Sequence, residues 1–310
     1  MKKNDRFIGT CYEYTNEGLG IVKYEGQVFF VTNILRGETA EIVCTLLKKN
    51  YGFGKAIKLL EVSEHRCEPL CSCYKLCGGC HLQLMDNYEQ QVFKTNKVRQ
   101  CFNSIAHMNP EINDCKMGEN LRYRNKVQVP VQVDDSIKMG FYKNRTNEIV
   151  EFEDCLVQSE ISNQLVQYLK KHLPIKEAKK LKHVLIKHAH HTGEVMLVFI
   201  VRERLNLDKS FMATLLSDFG AIKTVIENVN ERKDNVILGE EEYILYGDGI
   251  IQEELLGNRF NISSKSFYQI NPEQTEVLYQ CAIDKAQLKD SDTLIDLYCG
   301  TGTIGIIASK

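Results

Sequence analysis

The stretch Leu294-Ile-Asp-Leu-Tyr-Cys-Gly-Thr-Gly-Thr-Ile-Gly305 combines an apolar run with a glycine-rich turn. We interpret residues 293–297 as a buried strand that leads into the turn, as in an α/β domain. The three glycines fit the pattern GxGxxG, which also occurs at dinucleotide sites. A dinucleotide site needs an acidic residue about 20 positions further on, and the sequence ends at Lys310 before that position. The turn therefore predicts a ligand-binding site at the edge of a sheet, but it does not identify the ligand.

A second motif, Ser266-Phe-Tyr-Gln-Ile-Asn-Pro272, lies upstream of that turn. Asparagine is a favoured helix N-cap and proline is favoured at the first helical position. Asn271 and Pro272 therefore predict the start of a helix, which leads towards the strand at residue 293. Taken by itself, Gln269 is an ordinary loop amide.

The chain has 12 cysteines, and five of them lie between Cys67 and Cys80. In a chain without a secretory signal, crowded cysteines more often hold metal than form disulfides. Paired glycines at 78 and 79 allow the backbone to wrap tightly around one centre. Spacing alone does not distinguish a zinc site from an iron-sulfur site. We interpret the dispersed cysteines as buried small apolar residues, namely Cys11, Cys44, Cys101, Cys115 and Cys281.

The string Cys71-Ser-Cys-Tyr-Lys-Leu-Cys-Gly-Gly-Cys-His-Leu-Gln83 resembles the 4Fe-4S motif of the 23S ribosomal RNA (uracil-5-)-methyltransferase family. That family takes its last cluster ligand from a distant cysteine, and Glu151-Phe-Glu-Asp-Cys-Leu-Val-Gln158 matches its site. The resemblance therefore implies a 4Fe-4S cluster held by Cys71, Cys77, Cys80 and Cys155. Either Cys67 or Cys73 remains an alternative ligand.

The same resemblance implies S-adenosylmethionine as a second cofactor. Residues 266–272 are similar to the FxQxN signature that precedes the family's methyltransferase core, and its glutamine, here Gln269, contacts the methyl donor. Tyr298 matches the family's aromatic donor contact, and Gly300 lies in the matching turn. Asp296, at the end of the expected strand, looks like the acidic residue in the first motif of class I methyltransferases.

Residues 1–63 show short alternating segments separated by turn signals, such as Glu25-Gly26, which predict a small all-β barrel. The segment resembles the TRAM domain, an OB-like RNA-binding module, through Gly18, Gly20 and the run Leu35-Arg-Gly-Glu38. The resemblance implies that this barrel contacts RNA.

The rest of the chain is expected to form two further domains. Residues 64–247 predict a central α+β domain that carries the iron-sulfur motif, and residues 248–310 the start of a class I, Rossmann-like α/β methyltransferase domain. In the central domain, Asp86 and Glu89 form a capping-box pattern that predicts a helix at 86–106. This helix either packs within the central domain or packs on the methyltransferase domain. Its expected apolar face consists of Tyr88, Val92, Val98, Phe102 and Ile105.

The net charge and the hydropathy pattern restrict which partners and which cellular location the sequence allows. With 39 basic and 41 acidic residues, the net charge of −2 gives no global attraction to RNA, so any RNA contact depends on local patches. The basic and aromatic residues at 121–126 and 141–145 are candidates for such patches, and the alternative is that each stretch is a solvated strand face. We interpret His188, His190 and His191 as exposed turn residues, with metal binding as the alternative. No apolar run is long enough for a membrane span and no signal peptide is evident. We therefore expect a monomeric, cytoplasmic protein.

Methylation of uracil at C5 requires a cysteine thiolate to add first at C6. In the resembled family that cysteine lies on later strands, which would follow Lys310. Cys299 is not its counterpart, so we assign no catalytic residue and expect a C-terminally truncated, inactive chain. The expected substrate is ribosomal RNA, because tRNA members lack the cluster and the TRAM-like front. The alternatives are an iron-sulfur RNA-binding protein without catalysis and an NAD-linked iron-sulfur oxidoreductase.

Overall fold

A computed structural model describes residues 1–309. The chain divides into two compact units, one covering Met1–Met117 and a second that begins at Gly118. Each unit has its own apolar core. None of the helices in the described residues is long and apolar enough to cross a membrane.

The first unit opens with a closed five-stranded barrel, which confirms the barrel expected at residues 1–63. Its strands follow the order β1-β2-β3-β5-β4, and β3 and β5 are parallel while the other neighbours are antiparallel. Inward-facing side chains such as Phe29, Val31 and Ile42 are fully buried. The strands are β1 (Arg6–Tyr14), β2 (Gly20–Tyr24), β3 (Gln27–Thr32), β4 (Thr39–Leu47) and β5 (Tyr51–Glu61).

Helix α1 (Asn87–Cys101) follows, and a π-helical turn, Phe102–Ala106, ends it. The Asp86 carboxylate accepts a hydrogen bond from the Glu89 backbone N–H (2.7 Å), so the predicted start of the helix is confirmed.

The apolar face expected for α1 is wrong, because Tyr88, Val98, Phe102 and Ile105 are exposed. The helix instead buries Glu89, Phe93 and Thr95. The Glu89 carboxylate accepts hydrogen bonds from the Tyr14 hydroxyl (2.8 Å) and the Arg36 guanidinium (3.0 Å). A buried polar anchor of this kind leaves no trace in hydrophobic periodicity. Of the five cysteines interpreted as buried, Cys11 and Cys44 are buried as expected. The interpretation is wrong for Cys101, which is exposed, and Cys115 and Cys281 are only partly buried.

The second unit is built on a seven-stranded sheet of order β12-β11-β10-β9-β6-β7-β8. The pair β10–β11 is parallel and the other pairs are antiparallel. Strand β10 lies near its middle and is buried along its whole length. The strands are β6 (Lys126–Val133), β7 (Ile137–Tyr142), β8 (Ile149–Glu151), β9 (Leu181–His188), β10 (Val195–Val201), β11 (Ile222–Val229) and β12 (Glu241–Tyr246).

A separate hairpin, β13 (Ile250–Leu255) and β14 (Asn258–Ser263), packs with the sheet into one apolar core. That core joins Met196 of β10 and Ile226 of β11 to Ile251 and Phe260 of the hairpin. The helices of this unit are α2 (Glu160–His172), α3 (Ile175–Ala178), α4 (Lys209–Asp218), α5 (Pro272–Ala286) and α6 (Thr303–Ala308).

The strand expected at 293–297 does not form, which corrects the interpretation of this stretch as buried β-structure. Ile295 and Leu297 are 73% and 81% exposed. A strand of a parallel sheet is held by hydrogen bonds to its neighbours and by helices on both faces. Among residues 1–309 no strand pairs with this segment, so its apolar side chains have no sheet to join.

Candidate functional site

The segment at 264–271 connects β14 to α5 and carries Gln269. At its end, the Asn271 side chain caps α5 by accepting a hydrogen bond from the backbone N–H of Gln274 (3.1 Å). Pro272 is the first residue of the helix. The predicted helix start is therefore confirmed, and it fixes the C-terminal end of this Gln269 segment.

Lys187, on β9, is a lysine that is only 5% exposed. Its Nζ donates hydrogen bonds to the backbone oxygens of Ser263 (2.7 Å) and Ser266 (2.9 Å). Burial lowers the pKa of Lys187 to about 8, and the positive charge of Lys126 acts in the same direction. Because a buried amine without acceptors is costly, the two carbonyls are what stabilise it here. Lys187 thus ties the N-terminal part of the Gln269 segment to the central sheet.

Asn125, just before β6, holds the other part of the segment. Its side-chain Nδ2 donates to the backbone oxygen of Gln269 (2.9 Å), and its backbone N–H donates to that of Ile270 (3.1 Å). The Asn125 carbonyl accepts from the N–H of His188 at the end of β9 (2.7 Å). These bonds use the backbone of Gln269 and do not involve its side-chain amide.

A cavity of about 20 Å³ lies between the Gln269 segment and the sheet. This volume has room for one water molecule and is far too small for a nucleoside. The Tyr268 hydroxyl is buried and has no hydrogen-bond partner among the described residues, and burial raises its pKa. We therefore regard the cavity as part of the scaffold. It is lined by Asn125, Lys126, Lys187, His188, Ala189, Ile251, Glu253, Ile262 and Tyr268.

The glycine turn adopts backbone conformations that favour glycine. Gly300 has φ of +55° and Gly302 has φ of +74°, both in the left-handed region. Helix α6 begins directly after Gly302, at Thr303. The Thr303 hydroxyl lies 3.1 Å from the hydroxyl of Tyr279, on α5. Helix α5 thus joins the Gln269 segment to the glycine turn.

Two side chains at this turn have polar or aromatic surface to offer a ligand. Tyr298 is 96% exposed. One Asp296 carboxylate oxygen accepts from the Tyr298 N–H (3.3 Å), whereas the other, Oδ2, is buried without a hydrogen-bond partner in the described part of the chain. Among residues 1–309, no hydrogen bond joins Gln269 directly to Tyr298 or Gly300.

The cysteine motif forms an irregular loop between β5 and α1. Burial raises the pKa of Cys71 and of Cys77, and the nearby thiol of Cys80 acts on both in the same direction. The Gly79 N–H donates to the Cys77 sulfur (3.4 Å). Within the described residues, no three His, Cys, Asp or Glu side chains are close enough together to hold a single metal ion. All 12 cysteines are thiols rather than disulfides.

Cys155 lies in the second unit, between β8 and α2. Its backbone N–H donates to the Asn163 side chain (3.2 Å), and its carbonyl accepts from Arg122 (3.2 Å). Arg122 also forms an ion pair with Asp154 (2.6 Å), and this interaction raises the pKa of Arg122. The local network therefore fixes the backbone on both sides of Cys155.

Several residues expected at an RNA surface have internal roles instead. Arg122 and Asn125 bind other parts of the same unit, and the Phe141 ring stacks on Phe152 with centroids 5.2 Å apart. His190 and His191 are exposed, as expected. The interpretation of His188 as an exposed turn residue is wrong, because it ends β9 and is half-buried there.

Sequence reasoning did not identify Lys187 and Asn125 as residues of the site. The one available signal for Lys187 is its position directly after the buried apolar residues Val184, Leu185 and Ile186 of β9. A lysine that continues such a run indicates a buried amine with acceptors nearby.

The family model for tRNA (uracil-5-)-methyltransferases matches residues 86–310. An uncharacterized RNA methyltransferase of Listeria innocua is 38% identical over 322 residues, which cover 100% of this chain and 71% of that protein. Another from Clostridium acetobutylicum is 36% identical over 329 residues, again covering 100% of this chain and 71% of the relative.

Among solved structures, Pyrococcus abyssi tRNA (uracil-54, C5)-methyltransferase in complex with S-adenosyl-L-homocysteine superimposes with a TM-score of 0.70. The match covers 96% of this chain and 69% of that one at 23% identity, and shows that the two share a fold. The family model covers more than half of the chain, and the sequence relatives span all of it. The chain therefore belongs to the tRNA (uracil-5-)-methyltransferase family.

Proposed function

We propose that this protein takes part in S-adenosylmethionine-dependent methylation of uridine C5 in RNA, with the Gln269 segment and the glycine turn as the donor site. The observation that carries the proposal is the anchoring of the Gln269 backbone by Asn125 and of the preceding residues by Lys187. Rigid placement of a short polar segment is what a ligand contact requires.

The residues present suit such a donor. The Gln269 amide, the exposed Tyr298 ring and the Gly300 backbone would hold it, and the unpaired Asp296 oxygen at the same turn can accept a hydrogen bond from a ligand hydroxyl or amine. A Cβ at Gly300 would meet no atom within 4 Å, so the backbone there is open to close approach. The donor supplies an electrophilic methyl group, and these side chains bind and orient it.

Calorimetric titration with S-adenosylhomocysteine tests this assignment. We expect the wild-type chain to bind and Gln269→Ala to raise the Kd about tenfold, since a lost side-chain hydrogen bond in a binding site commonly costs roughly 1–2 kcal/mol. Gln280→Ala is the matched control, because Gln280 is exposed on α5 and bonds only to the Asp284 carboxylate (2.7 Å) among the described residues. A Gln269→Ala chain that binds as tightly as wild type would contradict the assignment.

We further propose a 4Fe-4S cluster bound by Cys71, Cys77, Cys80 and Cys155. In support, the Cys80 thiol is near enough to raise the pKa of both Cys71 and Cys77, and the Gly79 N–H donates to the Cys77 sulfur (3.4 Å). Each thiolate of such a cluster binds a different iron, so the ligands need not be within reach of one ion. The inclusion of Cys155 depends on the sequence resemblance alone.

Iron and acid-labile sulfide analysis after anaerobic purification tests the cluster. We expect both in wild type, their loss in Cys155→Ala, and their retention in the control Cys101→Ala, whose thiol is exposed on α1. One zinc per chain with no iron or sulfide would refute the proposal.

Ribosomal RNA is the substrate that we propose, and the barrel is proposed to be a TRAM domain that binds it. This choice follows the resemblance of the cysteine motif to the ribosomal RNA enzymes. The closed barrel does not distinguish the two substrates, because the match to the Pyrococcus abyssi tRNA enzyme covers 96% of this chain and so extends into the barrel. Transfer RNA is the alternative substrate, and the 5-methyluridine content of ribosomal RNA and of tRNA in cells that lack the gene distinguishes the two.

A further inference from the structure

Three aromatic side chains form a cluster on the outside of the barrel. Phe30 of β3 is paired with Phe53 of β5 in the parallel ladder, and Tyr51 lies two residues before Phe53. All three ring centroids are 5.7 Å from one another. Because the intervening Gly52 and the neighbouring Phe29 are buried inside the barrel, strand alternation directs these three rings outwards. We call this cluster the aromatic face.

The aromatic face is open to solvent. Tyr51 is 39% exposed, and Phe30 and Phe53 are half-buried. Rings at this spacing pack edge to face or tilted, with interplanar angles of 51°, 55° and 77°, so they support one another in fixed orientations. A partner therefore meets a preformed platform.

Lysines surround this platform. Lys23 is paired with Val28 across β2 and β3, and Lys55 is paired with Thr32 across β3 and β5, which places both on the outer side. Lys48 and Lys49 lie in the turn that leads into Tyr51. All four are exposed, and in the described part of the chain none of them forms an ion pair. Positive charge without protein counter-charges is thus concentrated around exposed aromatic rings.

We propose that the aromatic face binds single-stranded RNA, with bases stacked on the rings and phosphates contacted by the surrounding lysines. Exposed aromatic rings within a basic groove are the combination that single-stranded nucleic acids require, because every base has a π face and every nucleotide a phosphate. The inference rests on the proposed RNA methylation and extends it to a binding site remote from the donor segment in the sequence.

A single tryptophan can report the stacking directly, because the sequence contains none. In Tyr51→Trp the indole replaces a ring of the aromatic face, and its fluorescence should be quenched saturably by a single-stranded uridine-rich oligonucleotide. A fully paired duplex, whose bases are already stacked, should not quench it. Tyr88→Trp is the matched control, since Tyr88 is 57% exposed in the same unit but lies on α1. Unquenched Tyr51→Trp fluorescence with RNA bound would overturn the proposal.

Substitutions separate stacking from charge. Phe30→Leu and Phe53→Leu keep an apolar side chain, so circular dichroism should show an intact barrel while RNA affinity falls about tenfold per ring, with an unchanged salt slope. Lys55→Gln should instead reduce the slope of log K against log salt by about 0.7 for its lost phosphate contact. Equal RNA affinity of folded Phe→Leu variants and wild type would refute the stacking role.

The two proposals fail separately. Tryptophan quenching without S-adenosylhomocysteine binding would retain the aromatic face and reject the donor site. Binding of S-adenosylhomocysteine without tryptophan quenching would retain the donor site and reject the aromatic face.

Discussion

At the residue scale, the donor segment depends on two side chains that do not belong to its motif. Lys187 and Asn125 bind backbone atoms of residues 263–270, so they determine where Gln269 stands without touching its amide. We regard them as positioning residues. Their bonds to backbone carbonyls do not depend on which side chains the segment carries.

Replacing Lys187 with methionine should loosen the segment. The variant keeps the length of the side chain but leaves the oxygens of Ser263 and Ser266 without their donor, at a cost of roughly 1–3 kcal/mol in the free energy of unfolding. Hydrogen exchange at residues 264–271 should accelerate, and S-adenosylhomocysteine should bind several-fold more weakly. Lys223→Met, at an exposed lysine of β11, is the control. Unchanged exchange at 264–271 in Lys187→Met would contradict the positioning role.

The same lysine predicts a pH dependence of stability. Its folded pKa of about 8 lies below the ordinary 10.5, so between these values the unfolded chain holds a proton that the folded chain has lost. Stability from this group therefore rises with pH in that window and is constant below about 8. In urea unfolding, the free energy of unfolding of wild type should increase by about 1–2 kcal/mol relative to that of Lys187→Met when the pH is raised from 7.5 to 9.5. If the free energy of unfolding of wild type fell relative to that of Lys187→Met as the pH rises, this predicted pH dependence would be contradicted.

At the scale of elements, the sequence correctly predicted the helices and strands that are determined by residues close together in the chain. Alternating apolar residues and glycine turns predicted the barrel, and the capping residues Asp86 and Asn271 predicted the starts of α1 and α5. The predictions of a strand at 293–297 and of the apolar face of α1 were wrong, because both features depend on contacts with residues distant in the sequence. A strand needs neighbouring strands, and α1 is held by Glu89 bonding to Tyr14 and Arg36. Hydrophobic periodicity carries neither kind of information.

Asp86 allows the capping argument to be tested. Asp86→Ala removes the acceptor of the Glu89 N–H and should cost about 0.5–2 kcal/mol in the free energy of unfolding of the first unit. Asp86→Asn retains a good cap but loses the charge beside His65, 2.9 Å away, so it should recover most of that stability. Thermal unfolding measures both. If the asparagine variant were as unstable as the alanine variant, the His65 ion pair would be the stabilising contact instead of the cap.

At the scale of the whole molecule, the family model and the structure divide the chain differently. The match begins at residue 86, after the barrel and the cysteine loop, whereas the first compact unit extends to Met117. The barrel, with its aromatic face, and the cysteine loop therefore lie outside the matched region. We propose that the barrel binds RNA and that the second unit binds the methyl donor.

The most direct test of the central claim is the 5-methyluridine content of RNA from cells of the source organism that lack this gene. Mass spectrometry of nucleosides from purified 23S ribosomal RNA and from tRNA should show 5-methyluridine reduced in the ribosomal RNA and unchanged in the tRNA. The wild-type gene should restore it, and the Gln269→Ala gene should restore less. Loss from tRNA alone would contradict the proposed substrate, and unchanged 5-methyluridine in both RNAs would contradict the proposed activity.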